Sequence, residues 1–399
     1  MHLNPLLLAT EGSAIVESLR WLDGASFPPE RPLMMFSQAA PALPPPESLR
    51  RALAEIVIGD ASAHLYGPVL GLPALRAALA ARTSRIYGGS MGADHVAITS
   101  GANQAFTATL TALAREGDEV ILPSPWYFNH KMHCDMAGLR TVPLPVGADM
   151  LPDPDEAAAR ITPRTRALVL VTPNNPGGVE YPPALVHAFR DLARARGLTL
   201  VIDETYRDFH ARDGAPHDLF TDPDWDRTVV QIYSFSKAYR LTGHRVGAIV
   251  ASPELLEQVG KYLDTVTICA NQIGQRAALW GLSNLDDWLA GERAEVLARR
   301  SAMQEGFAAL PDWQLSGLGA YFAWVRHPFA LPSPELARRL VHEAGLLLLP
   351  GTMFRPADDP SGAREFRIAF ANADRAGIAT LFERLGRLNL PLAPSREAH

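Results

Sequence analysis

Apolar runs and helical patterns alternate along the middle of the chain. Between residues 95 and 251, short runs rich in apolar and β-branched residues predict seven strands, and stretches of helical periodicity separate most of them. Such alternation is typical of a largely parallel sheet covered by helices on both faces. The predicted strands are residues 95–99, 119–122, 140–142, 167–172, 198–203, 228–234 and 247–251, and the helices between them include 102–115, 182–196 and 253–262.

The pattern is different on either side of this region. Near residues 11–22 a short helical pattern precedes several prolines, which favour an extended arm. After about residue 285, long helical patterns alternate with a few apolar runs, which indicates a smaller domain. We therefore predict a large α/β domain over residues 46–285 and a small α+β domain built from residues 1–45 and 286–399. In this last part the predicted helices are 286–310, 333–344 and one ending near 385, and the predicted strands are 320–325, 346–349 and 366–370.

The composition is that of an ordinary soluble protein and argues against several classes. The chain has 399 residues, a net charge of -6 and no run of Lys or Arg, so nucleic acid is not an expected partner. Its two cysteines are far apart and lie in no metal-binding spacing, so neither a disulfide framework nor a zinc site is expected. No apolar stretch approaches the roughly 18 residues of a membrane span. We expect a cytoplasmic protein without a metal and without a membrane contact.

Three polar clusters follow consecutive predicted strands at the points where those strands end. They are residues 172–178, the segment from Asp203 to Tyr206, and the segment from Ser234 to Lys237. The carboxyl ends of parallel strands lie at one edge of a sheet, and the ligand sites of such sheets lie beyond that edge. The pattern therefore predicts a single site built from all three clusters.

Lys237 has the most specific chemistry in these clusters. It follows a buried strand, where loss of hydration favours the neutral amine, and a neutral lysine can attack an aldehyde to form a Schiff base. Ser234, Ser236 and Arg245 lie near it in sequence and could bind a phosphate. An imine-forming lysine among phosphate ligands suggests pyridoxal phosphate. Taken alone, such a lysine is more often a surface residue whose stem packs on apolar neighbours.

Two further candidates lie at the same predicted edge. Gly101, Ala102 and Asn103 begin a helix whose backbone N–H groups and dipole could face a phosphate, although an ordinary N-cap is the commoner explanation of such a turn. Asp203 ends a very apolar run, and a buried carboxylate needs a partner. That partner could be the ring N–H of a pyridinium, which would make the ring an electron sink, or a nearby arginine.

The remaining candidates are polar or aromatic residues in the neighbouring loops and in a late strand. Asn175 and Tyr206 could hydrogen-bond a ring oxygen, although each is more commonly a turn or packing residue. Tyr127 could cover one face of a cofactor ring, with Trp126 as its rival. Arg367 lies between apolar residues and suits a bidentate grip on a carboxylate, or else a structural ion pair with a nearby acid.

With these residues in place, the chain resembles the class I/II aminotransferases of the fold-type-I pyridoxal-phosphate enzymes, from about residue 37 to 371. The order and spacing of its motifs carry the resemblance: N-P-x-G at residues 175–178, D-x-x-Y at 203–206, S-x-S-K at 234–237 with an arginine eight residues later, and P-G-x-x-F at 350–354. The resemblance implies a mostly parallel seven-stranded sheet between helices, with a smaller α+β domain.

The resemblance also implies a cofactor, pyridoxal 5'-phosphate, and a role for each matching residue. Lys237 would hold the cofactor and act in catalysis with Asp203 and Tyr206. Tyr66 would reach the cofactor phosphate of the neighbouring subunit in a homodimer. With Tyr127 as ring cover, the expected cofactor contacts are Tyr66, Gly101, Ala102, Asn103, Tyr127, Asn175, Asp203, Tyr206, Ser234, Ser236, Lys237 and Arg245, and the expected substrate contacts are Ala39, Asn175 and Arg367.

The expected reaction moves an amino group from an amino acid to a 2-oxo acid. Residues 39–41 read Ala-Ala-Pro where many members have Gly-x-Pro, which could narrow the substrate pocket. No arginine lies between residues 264 and 275, where dicarboxylate-specific relatives can present a second one, so a neutral aromatic or aliphatic donor is expected. Trp21, Phe36 and Trp126 lie in segments expected near the pocket. The alternatives are a lyase, decarboxylase or oxidase on the same fold, or a non-catalytic sensor.

Overall fold

The computed structural model describes residues 1–394 of the chain. Its helices are α1 (Pro5–Ala9), α2 (Ala14–Arg20), α3 (Glu47–Gly59), α4 (Pro73–Tyr87), α5 (Ala102–Leu113), α6 (Phe128–Met136), α7 (Pro154–Arg160), α8 (Pro183–Arg196), α9 (Phe235–Ala238), α10 (Pro253–Thr267), α11 (Gln272–Asn284), α12 (Asp286–Ala308), α13 (Ser333–Arg339) and α14 (Arg375–Gly386). Its strands are β1 (Met34–Met35), β2 (Val96–Thr99), β3 (Glu119–Ser124), β4 (Arg140–Pro145), β5 (Thr165–Val171), β6 (Thr199–Asp203), β7 (Val229–Ser234), β8 (Gly247–Val250), β9 (Gln314–Gly319), β10 (Phe322–Arg326), β11 (Leu346–Leu347), β12 (Leu349–Pro350) and β13 (Glu365–Ala369).

A seven-stranded sheet forms the centre of the molecule, in the order β2-β8-β7-β6-β5-β3-β4. All neighbouring strands are parallel except β8, which runs antiparallel to both β2 and β7. This confirms the predicted mostly parallel sheet, and each of the seven predicted strands is present with its ends shifted by at most three residues. The register places Asp203 opposite Val171 on one side and Ile232 on the other, so the polar clusters do meet at one edge.

The strands of this sheet are apolar at nearly every position because both faces are covered. Successive residues of β6 contribute to different cores: Leu200 and Ile202 join one apolar cluster, and Val201 joins another on the opposite face. The same alternation occurs in β5, where Leu168 and Val169 belong to different clusters. A strand buried on both faces gives a continuous apolar run in the sequence, which is why these segments were recognisable.

A second layer contains a four-stranded antiparallel sheet in the order β12-β13-β10-β9. The N-terminal part of the chain joins this layer, because β1 pairs in parallel with β11. Trp21 and Phe36 are buried in the apolar core of the same layer. The division of the chain at residues 45 and 285 remains a prediction.

Some elements of this second layer were not predicted from the sequence. Strand β9 contains Gly317 and Gly319, which weaken any strand pattern, and each lies where a Cβ would meet the backbone of residues 177–178. The helix predicted at 333–344 is regular only over Ser333–Arg339 and continues as a five-residue π turn. Within residues 1–394, no helix is both long and apolar enough to span a membrane.

Candidate active site

A cavity of about 640 Å³ opens at the carboxyl edge of the seven-stranded sheet. It collects polar residues from the ends of β5, β6 and β7, from the start of α5, and from β13 of the smaller sheet. Most of the residues predicted for the site line this one cavity. They are Ala39, Ala102, Asn103, Tyr127, Asn175, Asp203, Tyr206, Ser234, Ser236, Lys237, Arg245 and Arg367.

Lys237 lies in the one-turn helix α9, which follows β7 directly. The hydroxyl of Ser234 caps this helix by accepting a hydrogen bond from the backbone N–H of Ser236. The Lys237 Nζ donates to the backbone carbonyl of Ala39. Burial is the main cause that lowers the pKa of Lys237 to about 8, and the nearby cations Arg245 and Arg367 contribute to the same shift. A lysine with this pKa is partly neutral near physiological pH, as a nucleophilic amine requires.

Asp203 is buried at the end of β6, on the floor of the cavity. Its Oδ1 accepts a hydrogen bond of 3.0 Å from the backbone N–H of Thr205. Its Oδ2 lies 3.2 Å from Nε2 of His130. No arginine of the described residues pairs with this carboxylate, so the arginine partner that the sequence left open is absent from residues 1–394. The carboxylate can therefore hold a positive charge that enters the cavity.

His130 is a residue of the site that the sequence analysis missed. It lies on α6 and its ring stacks on Phe106, with the ring centres 3.7 Å apart. The stacking fixes the plane of the imidazole against the Asp203 carboxylate. The signal that could have found it is its spacing, because His130 lies three residues after Tyr127 and so on the same side of the helix start.

Arg367 is a buried cation without an acidic partner in the described part of the chain. It is only 2% exposed, in the middle of β13. Its Nη1 donates to Oδ1 of Asn175 at 3.0 Å, and its Nη2 donates to the carbonyl of Ser37. The strand neighbour Glu365 does not pair with it but binds Arg355, with Nε of Arg355 2.6 Å from Oε2 of Glu365. Arg367 is therefore free of the structural ion pair that was its alternative explanation.

The surroundings of Arg367 favour an anion as its ligand. The rings of Phe322 and Phe354 lie 5.0 and 4.8 Å from the guanidinium carbon, and Phe128 lies at 5.9 Å. Its Nε has no hydrogen-bond acceptor among residues 1–394. Burial lowers the pKa of Arg367 to about 10, so the group is still cationic at neutral pH. A desolvated arginine with a free donor suits a carboxylate that binds through two hydrogen bonds.

A backbone cradle at the start of α5 forms the opposite end of the cavity. Gly101 is the N-cap with φ of +88°, a conformation that favours glycine, and a Cβ there would clash with the guanidinium of Arg245. No side chain of the described residues caps this helix, so its first N–H groups are available to an anion. Arg245 also donates to the hydroxyl of Ser236 at 3.4 Å. Together these groups could donate several hydrogen bonds to an anion such as a phosphate.

Two tyrosines stand over the middle of the cavity. Tyr127 donates to Oδ1 of Asn103 at 3.2 Å and accepts from Nδ2 of Asn129 at 3.0 Å, which fixes its position. Tyr206 is buried against Tyr321 and Phe322, and burial raises the pKa of its phenol well above the ordinary value. Burial also raises the pKa of Tyr127, so both phenols are neutral hydrogen-bonding groups at neutral pH.

Three aromatic residues expected near the pocket do not line the cavity. Trp21 and Phe36 lie in the core of the smaller sheet, and Trp126, the rival of Tyr127, packs behind β3 with the core of the large sheet. Sequence proximity to the pocket segments was a poor guide here, because large aromatic residues are more often core than ligand contacts. The apolar side chains that do line the cavity include Ile15, Val16 and Phe128, which the sequence analysis did not name.

Two predicted cofactor contacts are not among the residues that line the cavity. Gly101 is the N-cap of α5, directly before the lining residue Ala102, whereas Tyr66 lies apart from the cavity. Its side chain is 80% exposed. Other exposed apolar side chains in the same part of the chain are Ile58 and Leu65, and Val266 and Ile268 near the end of α10 are exposed as well. A role for Tyr66 in the site of a second subunit remains a prediction.

Comparisons with known proteins agree with this geometry. The profile described as aminotransferase class I and II matches residues 31–385. An aspartate/prephenate aminotransferase of Thermus thermophilus is 31% identical over 77% of this chain and 79% of its own length. An aromatic aminotransferase of Arabidopsis thaliana is 29% identical over 80% of this chain and 81% of its own length.

A solved structure gives the same result for the fold. An aspartate aminotransferase from Thermus thermophilus, solved with maleate, superposes with a TM-score of 0.87 at 26% identity, covering 97% of this chain and 99% of that one. Because the family profile spans most of the chain, the predicted family and the predicted enzyme class are confirmed. The protein belongs to the class I and II aminotransferases, a family of enzymes that depend on pyridoxal phosphate.

Proposed function

We propose that this aminotransferase binds pyridoxal phosphate through Lys237 and takes a neutral amino acid as its amino donor. The observation that supports this most strongly is that Lys237, Asp203 and Arg367 line one cavity although they lie on three different elements. When bound, pyridoxal phosphate supplies an aldehyde and an electron-withdrawing ring that stabilises negative charge at the substrate Cα. The residues of the chain supply binding, orientation and proton transfer.

The cavity residues fit the three parts of this cofactor. The N–H groups at the start of α5, the two hydroxyls of Ser234 and Ser236, and Arg245 would bind its phosphate. Asp203 would hold the cationic ring nitrogen, with His130 fixing the carboxylate. Asn175 and Tyr206 would hydrogen-bond its ring oxygen, and the ring of Tyr127 would cover one face.

Lys237 would also move the proton of the substrate. Once its Nζ is free as an amine, it can take the proton from the substrate Cα as a general base and later return it as a general acid. Its pKa of about 8 is close to the working pH, which keeps both protonation states accessible. Tyr206 and Asn175 would hold the ring still during these transfers.

Arg367 would bind the α-carboxylate of the donor. Replacement by lysine keeps the charge but loses the two parallel hydrogen bonds, and removing one partner of a buried charged pair typically costs about 2–5 kcal/mol. We therefore expect Arg367→Lys to raise KM for the amino donor by about a hundredfold, with a smaller effect on kcat. Steady-state kinetics with Arg387→Lys as a matched control, an exposed arginine paired with Glu383, would measure this. Unchanged KM in Arg367→Lys would remove the residue from the substrate site.

The charges that line the cavity favour a donor with a neutral side chain. Its cations are Lys237, Arg245 and Arg367. In this proposal each of them holds the cofactor or the α-carboxylate. No further cation of the described residues lines it, so a second carboxylate would be buried without a partner. The apolar Ile15, Val16 and Phe128 are available to an aliphatic or aromatic side chain.

A panel of donors tests this choice. Phenylalanine, leucine and methionine would be compared with aspartate and glutamate, with pyruvate and 2-oxoglutarate as acceptors. We expect kcat/KM for the best neutral donor to exceed that for either acidic donor by about tenfold or more, because a carboxylate would lack a buried partner. Aspartate or glutamate as the best donor would contradict the proposed specificity and leave the aminotransferase assignment intact.

The pH dependence of cofactor attachment tests the state of Lys237. Since only the neutral amine reacts, and the pKa of Lys237 is lowered to about 8, the reactive fraction falls as pH falls below that value. For the cofactor-free enzyme, we expect the attachment rate of added pyridoxal phosphate to rise about tenfold per pH unit between about pH 6 and about pH 8, and then to level off. Stopped-flow absorbance would follow the reaction. A rate that continues to rise to about pH 10 would indicate an ordinary exposed lysine.

The proposal extends to a homodimer in which Tyr66 contacts the cofactor phosphate of its partner. It is supported by the exposure of Tyr66 beside other exposed apolar residues, Ile58 and Leu65. Several large apolar side chains left exposed within a short stretch of chain favour an interface there. A second copy of the chain would bury these side chains and supply one more hydroxyl to the phosphate end of the cavity.

A further inference from the structure

An irregular segment of the chain, residues 36–46, passes beside the cavity between β1 and α3. We name it the bridging segment. Two of its backbone carbonyls bind the two cations at the substrate end of the site: Ser37 accepts from Nη2 of Arg367, and Ala39 accepts from Nζ of Lys237. Residues 38–40 of the same segment line the cavity. The position of the bridging segment therefore sets the orientation of both cations.

The far end of the bridging segment is held by Arg240. Nη1 of Arg240 donates to the carbonyl of Pro44 at 3.3 Å. The only other side chain that bonds this end is Arg50, among the described residues, and it bonds Pro45 from five residues further along the chain. Arg50 therefore ties the bridging segment to its own continuation in α3. Arg240 ties it to a different part of the chain, just after α9 and three residues after Lys237.

Arg240 is itself held by helix α12. Its Nε lies 3.0 Å from Oε2 of Glu292, and its Nη2 lies 2.7 Å from Oε1, so the contact is bidentate. The guanidinium also faces the ring of Trp288 at 5.3 Å. The two charged side chains are only 15% and 23% exposed, which makes the ion pair less screened than a surface pair.

The backbone conformation of Arg240 is unusual, and it is one that several contacts have to hold in place. Its φ is +55°, in the left-handed region that residues with a Cβ seldom adopt. Such a conformation persists where surrounding contacts hold it in place. The contacts of Arg240 with Glu292, Trp288 and Pro44 are of this kind, and they join three parts of the molecule at one side chain.

We propose that Arg240 and Glu292 are positioning residues for the amino acid. By fixing the bridging segment against α9 and α12, they place the Ser37 carbonyl so that Arg367 presents its remaining donors to the substrate carboxylate. Neither residue touches the reacting atoms. The inference rests on the proposed role of Arg367 in binding the carboxylate, and it predicts an effect on substrate binding more than on chemistry, because Lys237 and Asp203 remain on their own elements.

Kinetics of the holoenzyme test the proposal with Arg240→Gln, Glu292→Gln and the double variant. We expect each single change to raise KM for the amino donor about tenfold and to leave kcat within about twofold, because preorganisation of the site is lost. KM of the double variant should not exceed KM of the more strongly affected single variant, because the two residues act through one contact. Arg339→Gln breaks an exposed pair with Glu343 on the smaller layer and serves as the matched control, with unchanged KM.

Hydrogen exchange of residues 36–45 supplies a readout that does not depend on turnover. We expect faster exchange in this segment for both single variants and not for the control. If Arg240→Gln does not fold, Glu292→Gln still tests the contact. Unchanged KM and unchanged exchange in an active variant would overturn the proposal, as would effects of the two changes that simply add. If the enzyme without substitutions showed no amino transfer, the proposed function itself would be refuted.

Discussion

Replacement of Lys237 by alanine is expected to abolish amino transfer. No other group in the cavity is an amine: of the three lysines in the chain, Lys131 pairs with Asp135 on α6 and Lys261 bonds Gln258 on α10. Without Lys237 the enzyme loses both the residue that holds the cofactor and the base that moves the Cα proton. The fall in kcat should be about a millionfold, as when a covalent nucleophile is removed from other enzymes.

The measurement is formation of the 2-oxo acid product over long incubations, so that a trace of activity is detectable. Lys131→Ala and Lys261→Ala are the matched controls, since both residues lie outside the cavity and should retain the activity of the unaltered enzyme. Retention of more than about one percent of kcat in Lys237→Ala would be incompatible with both roles.

Replacement of Asp203 by asparagine has the second largest expected effect. The side chain keeps its shape and can still bind Thr205 and approach His130, but it no longer carries the charge that holds a cationic ring nitrogen. Removing one partner of a buried charged pair costs about 3–5 kcal/mol. If the whole cost falls on the transition state, kcat falls by about two to four powers of ten.

A control variant separates the effect of the lost charge from an effect on folding. Asp135→Asn is the control, because Asp135 lies outside the cavity in a half-buried pair with Lys131 on α6, and it should retain activity. The Asp203→Asn enzyme should still attach the cofactor to Lys237, because that step depends on the amine. Wild-type kcat in Asp203→Asn would show that the carboxylate is structural and that the ring nitrogen has another partner.

The sequence predicted the large sheet and the position of its site for a specific physical reason. A strand buried on both faces must be apolar at successive positions, as Leu200, Val201 and Ile202 are. A polar residue such as Asp203 at the end of that run is then conspicuous. Three such ends in parallel neighbouring strands have to meet at one edge, and in the structure they do.

The contacts that the sequence could not predict are of two kinds. The carbonyls of Ser37 and Ala39, which bind Arg367 and Lys237, are backbone groups that any residue provides, so they leave no pattern. His130 contacts Asp203 through tertiary packing on Phe106, more than twenty residues earlier in the chain. Short strands with glycines, such as β9, also give a weak pattern. Glycine has no side chain, so it adds nothing to the apolar alternation, and for the same reason it lets another backbone approach closely.

Trp21 and Phe36, whose segments were expected near the pocket, do not line the cavity, and the reason is related. Trp21 and Phe36 are close in sequence to residues that line the cavity, but their large apolar side chains are buried in the core of the smaller sheet. Ile15 and Val16, near the start of α2, line the cavity instead. Which side of an irregular segment faces a site depends on the packing of both layers, and periodicity carries no information about it.

The central claim is that one buried amine carries the coenzyme, and peptide mapping tests it most directly. The enzyme would be loaded with pyridoxal phosphate, reduced with sodium borohydride, digested and analysed by mass spectrometry. We predict a single stable label, on Lys237, with Lys131 and Lys261 unmodified and no label in Lys237→Ala. A label on Lys131 or Lys261, or a chain that takes up no label under conditions in which it transfers amino groups, would contradict the account.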